Sequence, residues 1–416
     1  MSPADVAKLI LERDQYRVNS IRSSVLLKRE KKKNTDHAGS SLWSIADHHS
    51  TAAASTLPAY TSAKTIDAGN YVVPVGIGSP KTQVSLAFDT LSSLTWTQCQ
   101  PCAGRCFKQS EPIFEPNESF TYANISCSSQ VCSDVERTTG RSSKCDISTC
   151  VYVMSYADQV FSAGYLARER LTLSSDVFNS FLLGCGQSNG GFTEGLSGVL
   201  GLGRDKLSIV SQTARKYESI FSYCLPSSTS LTGFLSFGVT NVKRLRNVVR
   251  FTPLISDTRF YGVDMTGISV GGRDLQISRS VFSRSGGMAI DPVTAITRLP
   301  PRAYQLLRSE FRQALSSVYP EAPGTSLLDT CFDLRRYRGN TVPKIRFYFD
   351  GDVEVELDFS AIFFLVNNDA SRACLAFAAT DRDTDFAIFG NMQQRTLEVV
   401  FDVPGERVGF GASGCK

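Results

Sequence analysis

The fold turns on Ala87-Phe88-Asp89, which finds a partner about 200 positions later in Ala289-Ile290-Asp291. Each tripeptide ends an apolar run with an aspartate, and a second matching element follows each of them. Val199-Leu200-Gly201 lies about 110 residues beyond the first aspartate, and Ile388-Phe389-Gly390 about 100 beyond the second. One apolar triplet ending in Asp or Gly means little. Two pairs in the same order point to duplicated lobes, each giving one carboxylate to a shared cleft. From Asn70 onward the chain is built of short runs of β-branched and aromatic residues punctuated by Gly and Pro, such as Tyr71-Val-Val-Pro-Val-Gly-Ile-Gly78 and Leu397-Glu-Val-Val-Phe401. One good helix interrupts them at Pro301–Phe311, with proline in its first turn. The expectation is a mostly-β protein of two β-barrel-like lobes around a central cleft.

Histidine limits the chemistry. The three histidines, His37, His48 and His49, all precede the first strand pattern, so a Ser-His-Asp or Cys-His machine and the common His-containing zinc sites lack their base or ligand in the folded body. If the chain catalyses hydrolysis, carboxylates are its acid and base. The formal net charge of +4 and pI near 8.4 are too mild to indicate a nucleic-acid or membrane-surface partner. The densest apolar run, Ala361–Val366, falls far short of the roughly 18 residues of a membrane helix. Gly198-x-x-x-x-Gly203 precedes Arg204 rather than Lys and is not a phosphate loop. No cofactor and no metal site is expected.

Seven cysteines cluster as Cys99, Cys102, Cys106, Cys127, Cys132, Cys145 and Cys150; the remaining five are Cys185, Cys224, Cys331, Cys374 and Cys415. Cys99-x-x-Cys102 with Cys106 could be metal ligands, but disulfides also account for the scattered later ones, and up to six are expected. Two sequons, at Asn117 and Asn124, fall inside the same cluster. Together these features point to a secreted, apoplastic or vacuolar route. The opening residues Met1–Ile10 are not a signal peptide, because Asp5, Lys8 and Glu12 interrupt the apolar core it needs, so a leader is expected to be missing from this sequence.

Residues 4 to about 27 place Val6, Leu9, Ile10, Val18 and Ile21 at helical spacing, which predicts an amphipathic helix. Lys28-Arg-Glu-Lys-Lys-Lys33 then reads as a solvated linker, and residues 34–66 as a flexible connector. The predicted organisation is a separate head (1–66), an N-terminal lobe (67–245) with a Cys-rich insertion (about 97–150), and a C-terminal lobe (246–416).

From residue 70 to the end the chain resembles the pepsin-like aspartic endopeptidases, above all their plant, nepenthesin-like branch with a cysteine-rich insertion. The motifs are Phe88-Asp-Thr-Leu-Ser-Ser-Leu-Thr-Trp-Thr-Gln-Cys99, Ala289-Ile-Asp-Pro-Val-Thr-Ala-Ile-Thr-Arg-Leu-Pro300, Ser155-Tyr-Ala-Asp158, Gly198-Val-Leu-Gly-Leu-Gly-Arg204, Phe389-Gly-Asn-Met-Gln-Gln-Arg395 and Val408-Gly-Phe-Gly-Ala-Ser-Gly-Cys415. The resemblance implies a bilobed pepsin-like fold and peptide hydrolysis by Asp89 and Asp291 sharing one proton. Two close carboxylates cannot both ionise cheaply, so the ionised one takes a proton from water while the other protonates the scissile carbonyl oxygen. It further implies that Tyr156 sits on a flap over the cleft with Trp96 as its indole partner, and that Ser92 and Thr294 bond the outer carboxylate oxygens. The head then corresponds to a propeptide that covers the cleft until it is removed.

The chain also departs from the family's Asp-Thr/Ser-Gly loops. Here they read Asp89-Thr90-Leu91 and Asp291-Pro292-Val293. A Cβ at the glycine position crowds the pair, and Pro292 removes both a hydroxyl that bridges the lobes and an N–H. Thr90 keeps its half of that bridge. The flap Tyr156-Ala-Asp-Gln-Val160 lacks the usual glycines. Two functions follow. One is an aspartic endopeptidase with activity reduced or lost, acting on a polypeptide in the cleft. The other is a non-catalytic pepsin-fold protein that binds or inhibits a protein ligand in the plant cell wall or apoplast. A monomer is expected in both cases.

Overall fold

The computed structural model describes residues 2–33, 54–61, 70–157, 159–192, 195–238, 249–337 and 342–412, without the side chains of 24–33 and 157. The three histidines, the flap residue Asp158 and Cys415 lie outside them. Strands dominate, as the Gly- and Pro-punctuated runs predict.

The two halves repeat one local construction. Strand β2 (Tyr71–Ile77) turns back into β3 (Thr82–Asp89), and Gly198–Gly201 runs parallel to β3 with Gly201 opposite Asp89. In the other half, Met288–Ile290 runs parallel to Ala387–Phe389, with Ile290 opposite Phe389. The glycine ending each second element is there because another backbone segment crosses it. A Cβ on Gly201 would come within 2.5 Å of the Ser93 carbonyl, and one on Gly390 within 2.7 Å of the Ala295 carbonyl. The repeat visible in the sequence is therefore a repeated backbone crossing, and each crossing holds the segment that follows an aspartate.

A sheet shared by both halves joins them. Ile220–Cys224 from the first half pairs antiparallel with Glu398–Asp402 from the second, flanked by Gly233–Gly238 on one side and Arg407–Gly411 with Val249–Pro253 on the other. Phe221 stacks on Phe401 across this seam, with ring centroids 4.4 Å apart. The apolar core runs through it without a break.

Two expectations need correction. Residues 54–61 are not connector but strand β1, which pairs Ala54–Ala59 with Gly233–Gly238 and then Tyr60–Thr61 with β2. Its alternating burial is carried by Ser55, Leu57 and Ala59, mostly small or polar side chains, so its composition resembles a loop while its partners make it a strand. The head is also not separate from the body, because helix α1 (Pro3–Lys33) lies in the cleft between the lobes. Its buried positions are Ala7, Leu11, Asp14, Val18, Ile21 and Arg22, a heptad-like stripe that includes two charges. Of the apolar residues predicted for its inner face, Val6, Leu9 and Ile10 are only half-buried.

The cysteines form disulfides. Cys99 pairs with Cys185, Cys102 with Cys106, Cys127 with Cys145, Cys132 with Cys150 and Cys331 with Cys374, and Cys224 is also disulfide-bonded. Among the described residues no group of His, Cys, Asp and Glu is arranged to hold a metal ion, and no helix is long and apolar enough to cross a membrane.

Candidate active site

Asp89 ends β3 and Asp291 directly follows Met288–Ile290, so the two crossings present one carboxylate from each lobe to the cleft floor. Asp89 is 2% exposed and Asp291 is fully buried. Backbone bonds fix both. The Leu202 N–H donates to the Asp89 carbonyl, the Asp291 N–H donates to the Phe389 carbonyl, and the Gln394 amide donates to the Asp291 carbonyl. Gln394 was quoted above only as part of a motif; its anchoring of the second aspartate is not visible in sequence.

The altered loops keep more of their geometry than their composition suggests. The Leu91 N–H donates to Asp89 Oδ1 at 2.9 Å, and the Val293 N–H donates to Asp291 Oδ1, also at 2.9 Å. Both backbone N–H groups at the former glycine positions are thus aimed at the carboxylates despite the added side chains. The Leu91 side chain packs on a cluster that includes Val18 and Ile21 of α1. Thr90 Oγ1 donates 2.7 Å across to the Ile290 carbonyl, while Pro292 offers nothing in return. Thr294 Oγ1 donates to Asp291 Oδ2 at 2.5 Å, as expected. Ser92 does not match its expectation. Its hydroxyl makes no hydrogen bond to Asp89 and lies instead beside the Tyr156 hydroxyl, so the outer oxygen of Asp89 lacks the support that Asp291 has.

Over this floor lies the hairpin of Thr149–Ala157 and Val160–Leu173. Trp96 Nε1 donates to the Tyr156 hydroxyl at 2.7 Å, and burial pushes the Tyr156 hydroxyl well above its ordinary value. At the tip Gln159 adopts φ 61°, a left-handed conformation that costs a non-glycine residue roughly 1–2 kcal/mol. This strain replaces the freedom of the absent glycines.

The residue that sequence reasoning missed is Arg17. It reaches from α1 to both aspartates, with Nη2 2.9 Å from Asp89 Oδ1 and 3.0 Å from Asp291 Oδ1, and Nε 3.1 Å from Asp291 Oδ2. One oxygen from each lobe therefore meets a single nitrogen. Burial works against the charge on Arg17, but Asp291 and then Asp89 outweigh it and hold the guanidinium firmly protonated. A small cavity of about 60 Å³ remains between Arg17, Asp89, Ser92 and Tyr156.

Two further anchors hold α1. Asp14 bonds Arg298 and the Ala295 N–H, and Arg22 pairs with Asp381 and Asp385. Burial raises the Asp14 carboxyl above its ordinary value, with Arg298 and the Ala295 amide opposing that shift.

The comparisons agree with this construction. The family descriptions "Xylanase inhibitor N-terminal" and "Xylanase inhibitor C-terminal" match residues 71–239 and 260–412. An aspartyl protease family protein of Arabidopsis thaliana is 50% identical over 411 residues, covering 98% of this chain and 82% of that protein. The chain belongs to the plant pepsin-like aspartic protease family. Within that family, nepenthesin-2 of Nepenthes gracilis is 33% identical over 360 residues, covering 83% of this chain and 78% of its own length. Basic 7S globulin from soybean shares the fold, with a TM-score of 0.69 at 21% identity over 87% of this chain and 97% of that one. Conglutin gamma from lupine seeds does likewise, at 0.68 and 19% over 87% and 95%.

Proposed function

We propose that this protein is an aspartic endopeptidase made as a proenzyme, in which α1 is the inhibitory prosegment and Asp89 and Asp291 are the catalytic pair. The contact of Arg17 with both carboxylates carries the reading. A buried guanidinium supplied by a detachable-looking helix neutralises the two groups that hydrolysis needs free, and it occupies the place of the attacking water. Acid weakens this clamp because a protonated carboxylate no longer attracts Arg17. With the helix gone, the ionised aspartate removes a proton from water and the protonated one donates to the carbonyl oxygen of the peptide. The Leu91 and Val293 amides orient the inner oxygens, and Tyr156, held by Trp96, covers the bound polypeptide.

Pro292 favours a second reading. Without its N–H and hydroxyl the second loop cannot return the bond that Thr90 makes, so turnover is slow or absent, and the cleft binds polypeptide without cutting it. The exposed sequon residues Asn117 and Asn124 and the disulfides support a secretory or vacuolar route in either case.

The test is incubation of the full chain in acid with a fluorogenic peptide, following both release of the head and peptide cleavage. Cleavage that is lost in Asp89→Asn and in Asp291→Asn is expected. Leu91→Gly, Pro292→Ser and Val293→Gly together should raise it, since one lost transition-state donor costs about 10²–10³ in rate. Absence of cleavage in that triple variant, with tight binding of the same peptide, would replace the first reading with the second.

A further inference from the structure

We infer that the Ala295 amide and the Arg298 guanidinium form a carboxylate-recognition site beside Asp291, filled by Asp14 while α1 is docked, and that it takes an aspartate or glutamate side chain of a polypeptide substrate afterwards. This rests on the reading of the cleft as a peptide-binding groove.

The site belongs to the C-terminal lobe and is built independently of the helix that fills it. Arg298 lies on Thr297–Leu299, a strand bonded on both sides, to Phe377–Ala379 and to Ile388. Its Nη1 donates to the carbonyl of Ile296 at 2.9 Å, within its own loop, so the guanidinium plane is set without help from α1. Nη2 then points to Asp14 Oδ2 at 2.7 Å and more weakly to Gln15 Oε1 at 3.3 Å. The other oxygen, Asp14 Oδ1, accepts from the Ala295 N–H at 2.5 Å. Both lone-pair faces of one carboxylate are met, one by a guanidinium and one by a backbone amide. Arg298 is completely buried, and its Nε has no partner among the described residues, so the site retains an unused donor.

The surroundings say what kind of residue belongs there. One and two turns earlier on α1, Leu11 and Ala7 fill an apolar hollow formed by Ala295, Ile296, Leu328, Phe364 and Met392. A helix needing only to seal such a hollow could have continued with an apolar side chain and avoided burying a charge. Instead it presents a carboxylate to an arginine that already waits there. Ala295 lies four positions beyond Asp291, so the site lies within reach of a peptide lying across the catalytic pair. An acidic side chain next to apolar ones satisfies Arg298; a glutamine leaves its charge without a counter-charge.

The first experiment needs no catalysis. In the full chain with Asp14→Ala, sodium formate should raise the thermal midpoint with a saturating dose dependence, because it replaces the deleted carboxyl group. Formamide, or sodium chloride at the same ionic strength, should not. The response should vanish when Arg298→Met is added and persist with Arg298→Lys. If Arg298→Met does not fold, Arg298→Gln, which keeps a donor for the Ile296 carbonyl, takes its place. Equal responses to formate and formamide would overturn the proposal.

The second experiment walks Glu, and then Gln, through each position of a C-terminally amidated peptide with the acid-treated full chain. Cleavage should be at least 10-fold faster for Glu than for Gln at one position. A formate response without cleavage of any peptide would refute the protease reading while leaving the carboxylate site standing. Cleavage with no Glu preference anywhere would refute the assignment of that site to substrate side chains. A preference that appears only when the peptide has a free C-terminus would assign the site to a terminal carboxylate instead, and would equally refute it.

Discussion

The two aspartate loops have the same shape and have lost different supports. Asp89-Thr90-Leu91-Ser92 keeps the bond that crosses to the other lobe, through Thr90, and lacks the outer hydroxyl bond, because the Ser92 hydroxyl does not bond Asp89. Asp291-Pro292-Val293-Thr294 keeps the outer hydroxyl bond, through Thr294, and lacks the crossing bond, because proline has no N–H or hydroxyl to give. The bond from the third residue to the inner carboxylate oxygen is 2.9 Å in both. What each loop does with its own backbone is therefore conserved between lobes, and what depends on a side chain has diverged. A backbone N–H follows from the crossing and survives replacement of glycine by leucine or valine; a hydroxyl contact requires a particular atom in a particular rotamer.

Four variants break or sharpen this comparison. The largest effect is expected from Arg17→Ala, which removes the group that makes the two loops one site and leaves two buried carboxylates facing each other. Breaking a buried ion pair from one side costs about 3–5 kcal/mol, and limited proteolysis within residues 3–23 should become correspondingly faster. Thr294→Val should cost about 1.5–3 kcal/mol, because it takes a hydrogen bond from a buried carboxylate. Ser92→Ala should cost about 1 kcal/mol or less in unfolding free energy from a urea titration, because it removes no hydrogen bond to a carboxylate. Equal effects at these two positions would erase the difference between the loops. Thr90→Val should cost about 1 kcal/mol, read from the same urea titration, and less if the Ile290 carbonyl finds another donor.

The seam sheet provides the smallest effect, and a pH dependence. Glu398 is raised above its ordinary value by burial, and its Oε1 has no partner among the described residues. The folded protein therefore holds this proton more tightly than the unfolded chain does. Stability from this group is fully present below the ordinary glutamate value, about 4.3, and is lost as pH rises through the raised one. Glu398→Gln should raise the urea midpoint at neutral pH and leave it unchanged in acid; a benefit in acid as large as at neutrality would contradict this.

Much of the site was readable in advance because it is written in short segments. The aspartates, the Thr90 bridge, the Thr294 hydroxyl and the Trp96–Tyr156 pair all lie in motifs whose neighbours carry the same information. Arg17 and Asp14 do not. Periodicity places residues on a helix face, but it does not name the surface which that face covers. An arginine on such a face is taken as solvated unless its counter-charges are known, and those lie 72 and 274 residues away. Strand β1 was missed for a related reason, since its pattern of small and polar residues is indistinguishable from a connector until two neighbouring strands claim its hydrogen bonds. Ser92 failed in the opposite direction, because its position in the motif is right and only its hydroxyl turns away from Asp89.

By itself the sequence determined that this chain makes two like halves, each carrying an aspartate ahead of a backbone crossing, because alternation, glycine and proline act locally and leave their mark within a few residues. Only the tertiary structure decided which side chain of the head meets both acids, and that it is Arg17. Charge pairing in a buried space depends on distance through the fold, and separation along the chain carries almost no information about it.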